Sequence, residues 1–203
     1  MKKKKLIIIG AGGHSKSCLE VVDSSKDYKV VGFIDNRKIT NSFYKKFKIY
    51  KEGDLEKIFK IVKNVHIGIA HMKSPSLRIK LFKRYKTKGF RFPVLTHSKA
   101  YVSKYSSIKE GTLIGLNSVI NANCKIGYNT IINTKSLIEH DTVIGNHCHI
   151  ATGVIINGNC SIGNNSFVGS GTIIFNNVSI GNDCVVGSGK IIKKNLKDGA
   201  FIR

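Results

Sequence analysis

Residues 126–162 read IGYNTIINTKSLIEHDTVIGNHCHIATGVIINGNCSI, with Ile126, Ile132, Ile138, Ile144, Ile150, Ile156 and Ile162 at every sixth place. The spacing continues in both directions: sixteen consecutive sixth positions, from Val102 to Ile192, are Ile or Val, and thirteen of them are Ile. A strand repeats every two residues and a helix every 3.6, so neither alone holds one side chain inward at a period of six. A chain that turns a corner every six residues does. Three such sides close a triangular coil, and stacked coils make a parallel β-helix.

The other places in the hexad agree. Counting the aliphatic residue as the first position, the second is Gly at 115, 127, 145, 163, 169, 181 and 187, which reads as a corner needing a permissive backbone. The fifth is Ser, Thr, Cys or Val from Ser106 to Cys184 and breaks only at Lys190. Cys124, Cys148, Cys160 and Cys184 all occupy that fifth place, so packing explains them better than metal ligation or disulfides. Cys18 falls in a predicted helix and reads as core. Residues 102–197 supply a little over five coils, a column roughly 25 Å tall at the strand spacing of about 4.8 Å.

The pattern changes near residue 100, which predicts two domains, 1–97 and 98–203. Over the first, apolar strands alternate with helices: strands at 6–9, 29–34 and 65–70, helices at 15–22, 55–62 and from Pro75 to about Lys88 with Ser74 as N-cap, then a short strand around 90–95. That alternation predicts a small parallel sheet with helices on its faces, a Rossmann-like domain. The turn Gly10-Ala11-Gly12-Gly13-His14-Ser15 stands between the first strand and first helix, where free N–H groups and the helix dipole favour a phosphate. Asp35 ends the second strand and is placed to accept from a ribose hydroxyl, with Asn36 beside it. About 95 residues form only one half of a dinucleotide fold, so a nucleoside diphosphate fits better than NAD.

The net charge is +22, but 29 of the 34 basic residues are Lys, whereas base-edge and bidentate phosphate readout favour Arg. Nucleic acid is therefore not expected as the partner; the positive field suits small anions. No apolar run reaches the length of a membrane span, and 6–9 after Lys2 to Lys5 is too short for a signal-peptide core, so a cytoplasmic protein without a membrane span is expected.

On a column of Ile, Ser and Gly, outward polar residues carry the chemistry. His140 is flanked by Glu139 and Asp141, and the residue one coil later in its row is Gly158. A histidine beside a carboxylate with a stripped neighbour describes a general base next to room for a ligand. His149 lies at a sixth position, within reach of a neighbouring face or a partner chain, where it would hold a thioester carbonyl. His147 belongs to a polar row with Asn129 and Asn165. The three histidines suit a metal as well as proton transfer, and the sequence alone does not separate the two.

GAGGHS, Asp35 and the run Ile138-Glu139-His140-Asp141-Thr142-Val143-Ile144-Gly145, in a front domain followed by hexapeptide repeats, resemble the bacterial sugar acetyltransferases of the UDP-amino-sugar N-acetyltransferase and sialic-acid O-acetyltransferase type. The resemblance implies a left-handed β-helix, a homotrimer with active sites between columns, and acetyl-CoA as donor with no metal. It places the base on His140, its acidic partner on Asp141, coenzyme contacts on His149 and Gly158, and nucleotide-sugar contacts on Gly10, Gly12, Gly13, His14, Asp35 and Asn36. Relatives continue into a Gly-x-Pro-Ala tail near the coenzyme where this sequence ends at Arg203, leaving Lys190, Lys193 and Lys194 as phosphate contacts. The expected reaction is N-acetylation of a nucleotide-linked amino-sugar, a UDP-4-amino-4,6-dideoxy sugar first, in surface-glycan or glycoprotein biosynthesis. The rivals are O-acetylation of a sialic acid, a zinc hydratase on the same prism, and a non-catalytic scaffold.

Overall fold

Four consecutive apolar residues, Leu6 to Ile9, require cover on both faces, and in the chain they form the centre of a parallel sheet. The computed structural model describes residues 3–203; Met1 and Lys2, the start of the basic run, lie outside the described residues. β1 (Lys4–Ile9) pairs with β2 (Tyr28–Ile34) on one side and β4 (Asn64–Ile67) on the other, and the short β3 (Ile49–Tyr50) extends the edge beyond β2. α1 (Gly13–Ser24) covers one face through Cys18, Leu19, Val21 and Val22. α2 (Leu55–Ile61) and α3 (Ser76–Thr87) cover the other, where Ile58, Leu81 and Tyr85 meet Ile7, Ile9 and Ile67.

Several boundaries differ from the sequence reading. α1 starts at Gly13 because the helical turn opens directly from the Gly-rich loop, before Ser15. Pro75 is the N-cap of α3 and Ser74 lies outside it, its hydroxyl accepting from Ser76 N–H at 3.3 Å. The strand expected at 90–95 is divided: Arg91 bridges to Asn64, Phe90 and Phe92 enter the core under α3, and Leu95–Thr96 is already the first rung of the column. At the far end, Phe201–Ile202 adds a rung beyond residue 197.

From there the column is a left-handed parallel β-helix of two-residue strands in three sheets. The inward aliphatics, among them Ile114, Ile120, Ile132, Ile138, Ile150, Ile156 and Ile174, are fully buried, each contributing about 1.5–3 kcal/mol relative to exposure. Ser118, Thr130 and Ser166 at fifth positions donate to the carbonyls of Asn133, Gly145 and Gly181 at 2.7–2.9 Å. Cys148 points its thiol at the carbonyl of Gly163 in the same way, and all five cysteines are free and buried.

The glycines at second positions have a different cause from the one expected. Their φ angles are not positive; the left-handed corner falls two places later, at Asn117, Asn123, Asn129, Lys135, Asp141, His147, Asn159, Asn165, Asn177 and Asp183, mostly the residue types that tolerate it. Second-position glycines instead permit coils to approach: a Cβ at Gly127 would lie 2.5 Å from the carbonyl of Gly145, and one at Gly163 2.5 Å from Asn182 N.

The outward residues of the strand pairs give each sheet a character. One face carries Leu95, Leu113, Ile131, His149 and Phe167 and is buried at this end by the front half, chiefly α1. The next carries Ser107, Lys125, Val143, Ser161 and Ser179 and is polar. The third carries Tyr101, Val119, Leu137, Ile155, Ile173 and Ile191, an apolar stripe on which no helix or loop among the described residues packs, with Tyr101 and Ile191 57% and 59% exposed.

Candidate active site

The sequence-predicted residues gather in two places. Gly10, Gly12, Gly13, His14, Asp35 and Asn36 line one cleft of about 590 Å³, walled by Ile9, Ile34, Ile69 and Leu77. It opens at the carboxyl ends of β1, β2 and β4, the crevice where parallel sheets bind ligands. Gly10 has φ +95°, and a Cβ there would strike Ile69 at 2.6 Å, whereas Gly12 and Gly13 face open space. No side chain caps α1 at Gly12, so its first N–H groups point free toward the cleft. Tyr44 Oη donates to the Gly12 carbonyl at 2.6 Å and holds the loop. Ser15, fully buried, packs where Gly68 has no side chain; a Cβ at Gly68 would lie 2.6 Å from that of Ser15.

Asp35 is differently employed from the expected ribose acceptor. Its Oδ2 accepts from Ala11 N–H at 2.9 Å and Arg37 Nη2 at 2.7 Å, and its Oδ1 accepts from Arg37 N–H and Nε at 2.9 and 3.0 Å. Every lone pair is taken, so the carboxylate pins the Gly-rich loop and leaves Arg37, which the sequence reading did not single out, at the cleft wall. Asn36 is likewise bonded through both side-chain atoms to Glu52. The Arg37 guanidinium, then the N–H of Ala11, bring the Asp35 carboxyl down to about 2 against the opposing effect of burial. A depressed acid stabilises the fold above its unfolded value and loses that contribution as pH falls through the folded one. The melting-temperature gap between the wild type and Asp35→Asn is therefore expected to be complete above about pH 4 and to close toward pH 2.

The second place is a column corner. His140 follows the apolar stripe residue Leu137 and precedes the polar face at Val143, so it stands on the corner opposite the face that carries the front half. Its Nδ1 donates to Asp141 Oδ2 at 2.7 Å; Asp141, in the left-handed corner, also accepts from Asn123 Nδ2 at 2.7 Å. Glu139 is engaged by Asn121 Nδ2 at 2.8 Å, which leaves Asp141 as the partner. The Asn123 amide first, then His140, hold the Asp141 carboxyl below its usual range. Gly158 does not leave vacant room: a Cβ there would meet His140 Cε1 and Nε2 at 2.7 Å, so the imidazole itself lies over the glycine. The side chain of His140 remains 59% exposed. Higher on the same corner come Phe175, Asn176, Lys193 and Lys194, while Lys190 lies on another. Lys193 Nζ sits 5.3 Å above the Phe175 ring.

His149 turns away from that corner. It lies on the covered face, donates through Nδ1 to the His71 carbonyl at 2.6 Å, and packs against Phe167 and, at 6.3 Å between rings, His14. It therefore meets its own front half, which covers this face. His147 accepts through Nδ1 from Asn129 Nδ2 at 3.0 Å and packs on Phe82 of α3. Burial, then Arg78, lower His14 and His71 to about 3; burial, then Arg78, lower His147 to about 4. Buried Arg78, His66 and His71 carry no sequence motif, and the hexad reading does not reach them.

Residues 5–85 match the family described as PglD N-terminal domain, and residues 93–198, more than half the chain, match the GMPPB C-terminal domain family. Compared with curated protein sequences, the chain has no match. Among solved structures, it is similar to a histidine-to-asparagine variant of perosamine N-acetyltransferase from Caulobacter crescentus in complex with CoA and GDP-perosamine. There the identity is 26%, the coverage 97% of this chain and 91% of that one, and the TM-score 0.89. It is also similar to the acetyltransferase domain of PglB from Neisseria gonorrhoeae in complex with acetyl coenzyme A, at 25% identity, 98% and 96% coverage and TM-score 0.89. The chain belongs to the hexapeptide-repeat sugar acetyltransferases.

This sugar acetyltransferase thus carries its Gly-rich cleft and its exposed His140–Asp141 pair on different sides of the column. Among its described residues no helix is long and apolar enough to cross a membrane.

Proposed function

We propose that the chain transfers the acetyl group of acetyl-CoA to the amino group of a nucleotide-linked sugar, as a homotrimer whose sites pair the cleft of residues 9–14 in one copy with His140 of another. The observation that carries this is the place of His140: on the corner beside an uncovered apolar stripe, opposite the front half of its own chain. Two other copies covering that stripe would bring a foreign cleft to the histidine. PerB of Caulobacter crescentus binds CoA and GDP-perosamine together, which supports a ternary complex.

Bound acetyl-CoA supplies an activated acyl group as a thioester. Lys193 and Lys194, three coils above His140 on the same corner, stand about 14 Å higher at the strand spacing and offer two cations for coenzyme phosphates. The free N–H groups of α1 hold the nucleoside diphosphate. With Nδ1 donating to Asp141, His140 presents Nε2 as the base. It takes the proton as the sugar nitrogen attacks the thioester carbon; the C–N bond forms, the C–S bond breaks, and the imidazolium returns the proton to the departing thiolate. Position-five thiols, buried and with Cys148 pushed up to about 12, are poor nucleophiles, which favours direct transfer over an acyl-enzyme. The division of labour follows the front domain, expected at 1–97, and the column, whose first rung is already Leu95–Thr96.

The test is acetyl-CoA consumption against UDP- and GDP-linked 4-amino-4,6-dideoxy sugars with free sialic acid as a parallel acceptor. Turnover of a nucleotide amino-sugar is expected and also names the nucleobase. Turnover of sialic acid alone would overturn N-acetylation in favour of O-acetylation.

A further inference from the structure

Arg78, 1% exposed, leaves the first turn of α3 and crosses from the cleft floor to the column. Its Nη1 donates to the carbonyls of Ile67, at 3.3 Å, and Ile69, the cleft-wall residue packed against Gly10. Its Nη2 donates to the Asn129 carbonyl at 2.8 Å and to the Asn129 side-chain oxygen at 2.7 Å. Among the described residues no carboxylate forms an ion pair with it. Buried cations are ordinarily paired, because an uncompensated charge away from water is costly; here only carbonyl dipoles answer it.

The titratable groups that feel this guanidinium come from every element packed around it. They are His14 and Cys18 on α1, His66 on β4, His71 before α3, and His147 and His149 on the column, with Lys83 of α3 also acting on His147. None supplies a counter-charge: the Cys18 thiol is pushed up to about 12 by burial. The hydrogen bonds run through the same cluster, from Arg78 through Asn129 to His147, while His149 donates to the His71 carbonyl.

We infer that Arg78 is a positioning residue that acts by charge as well as by hydrogen bonds: an unpaired guanidinium that ties the cleft floor to the column and, buried among these imidazoles, adds to their burial in opposing a second positive charge, so that His14 meets the acceptor as a hydrogen-bonding group. Burial first, and Arg78 second, bring His14 to about 3, while burial, opposed by the His71 carbonyl and aided by Arg78, brings His149 to about 4. The consequence for turnover rests on the acceptor reading of the cleft; the protonation state of the rings does not.

Asn129→Asp keeps the shape and both bonds from Arg78 Nη2 while setting a carboxylate against it, and gives up only the Nδ2 bond to His147. A neutralised guanidinium no longer repels an imidazolium, so the ring titrations of His14 and His149 are expected to rise by about one pH unit or more. They are followed by NMR on histidine-labelled protein. Arg78→Lys keeps the charge but cannot span the same acceptors, so it should leave the rings in place and raise KM for the acceptor. Rings unmoved in folded Asn129→Asp, with folding checked by circular dichroism, would make Arg78 a structural tie only and overturn the inference. Rings that shift as far in Arg78→Lys would overturn it too. Rings that move as expected in a protein that turns over no nucleotide sugar would support the charge effect and count against the acceptor reading alone.

Discussion

His140→Ala is expected to lower kcat by about 10²–10⁴-fold, with little change in KM for acetyl-CoA. The size follows from what the side chain can do and what it does not touch. It is the exposed imidazole held by a carboxylate, with Nδ1–H fixed on Asp141 and Nε2 left as acceptor. Its removal takes away the proton acceptor but neither the α1 terminus nor the lysines at 193 and 194. Asp141→Asn should act in the same direction and less severely. The left-handed corner accepts Asn, but the new amide has one acceptor oxygen where the carboxylate served both His140 and Asn123. If the amide turns its N–H to His140, the ring must carry its proton on Nε2 and cannot serve as a base until it rotates. The measurement is steady-state release of coenzyme thiol with each variant. An unchanged kcat in His140→Ala would remove this residue from the chemistry.

The column is legible in the sequence because a period of six has one physical solution, and each further place in the hexad answers to a single constraint. The phase of the turn misleads for a reason that is also physical. Gly at the second position looks like conformational freedom, but in stacked coils it marks where two backbones approach, and freedom is needed at Asn129, Asp141 and His147. The Gly-rich loop is legible as the wall of a cleft because it joins a strand to a helix at the carboxyl end of the sheet. What the sequence does not disclose are contacts made by residues without motif or period: Arg37 closing on Asp35, Tyr44 on the Gly12 carbonyl, Arg78 on Asn129. These join positions that local pattern does not relate. The same limit applies to His149, whose sixth-position phase fixes that it points outward but not that the front half covers that face.

Mixing His140→Ala with Gly13→Asp, each inactive alone, and allowing the subunits to reassemble is expected to restore activity to about a quarter of wild type, as random pairing of two half-sites requires. Gly13 opens α1, and a Cβ at this position would meet no atom within 4 Å, so an aspartate there fits without clash and places a negative charge where a diphosphate would bind. If each site draws His140 from one copy and its cleft from another, a junction is intact when both contributions come from unmutated sources, each with even odds. A site built within one chain gives no recovery. The same geometry makes the apolar stripe decisive. Ile155 lies mid-stripe between Leu137 and Ile173, and a lysine in its place would bury a charge in an apolar contact, which costs several kcal/mol if unpaired. Ile155→Lys is therefore expected to elute at the mass of one 22.4 kDa chain and to lose turnover while its cleft still binds nucleotide, because the cleft lies within one chain and the proposed catalytic pairing does not. A monomeric Ile155→Lys with full activity would show that His140 reaches its own cleft, and the corner on which it stands would then need another explanation.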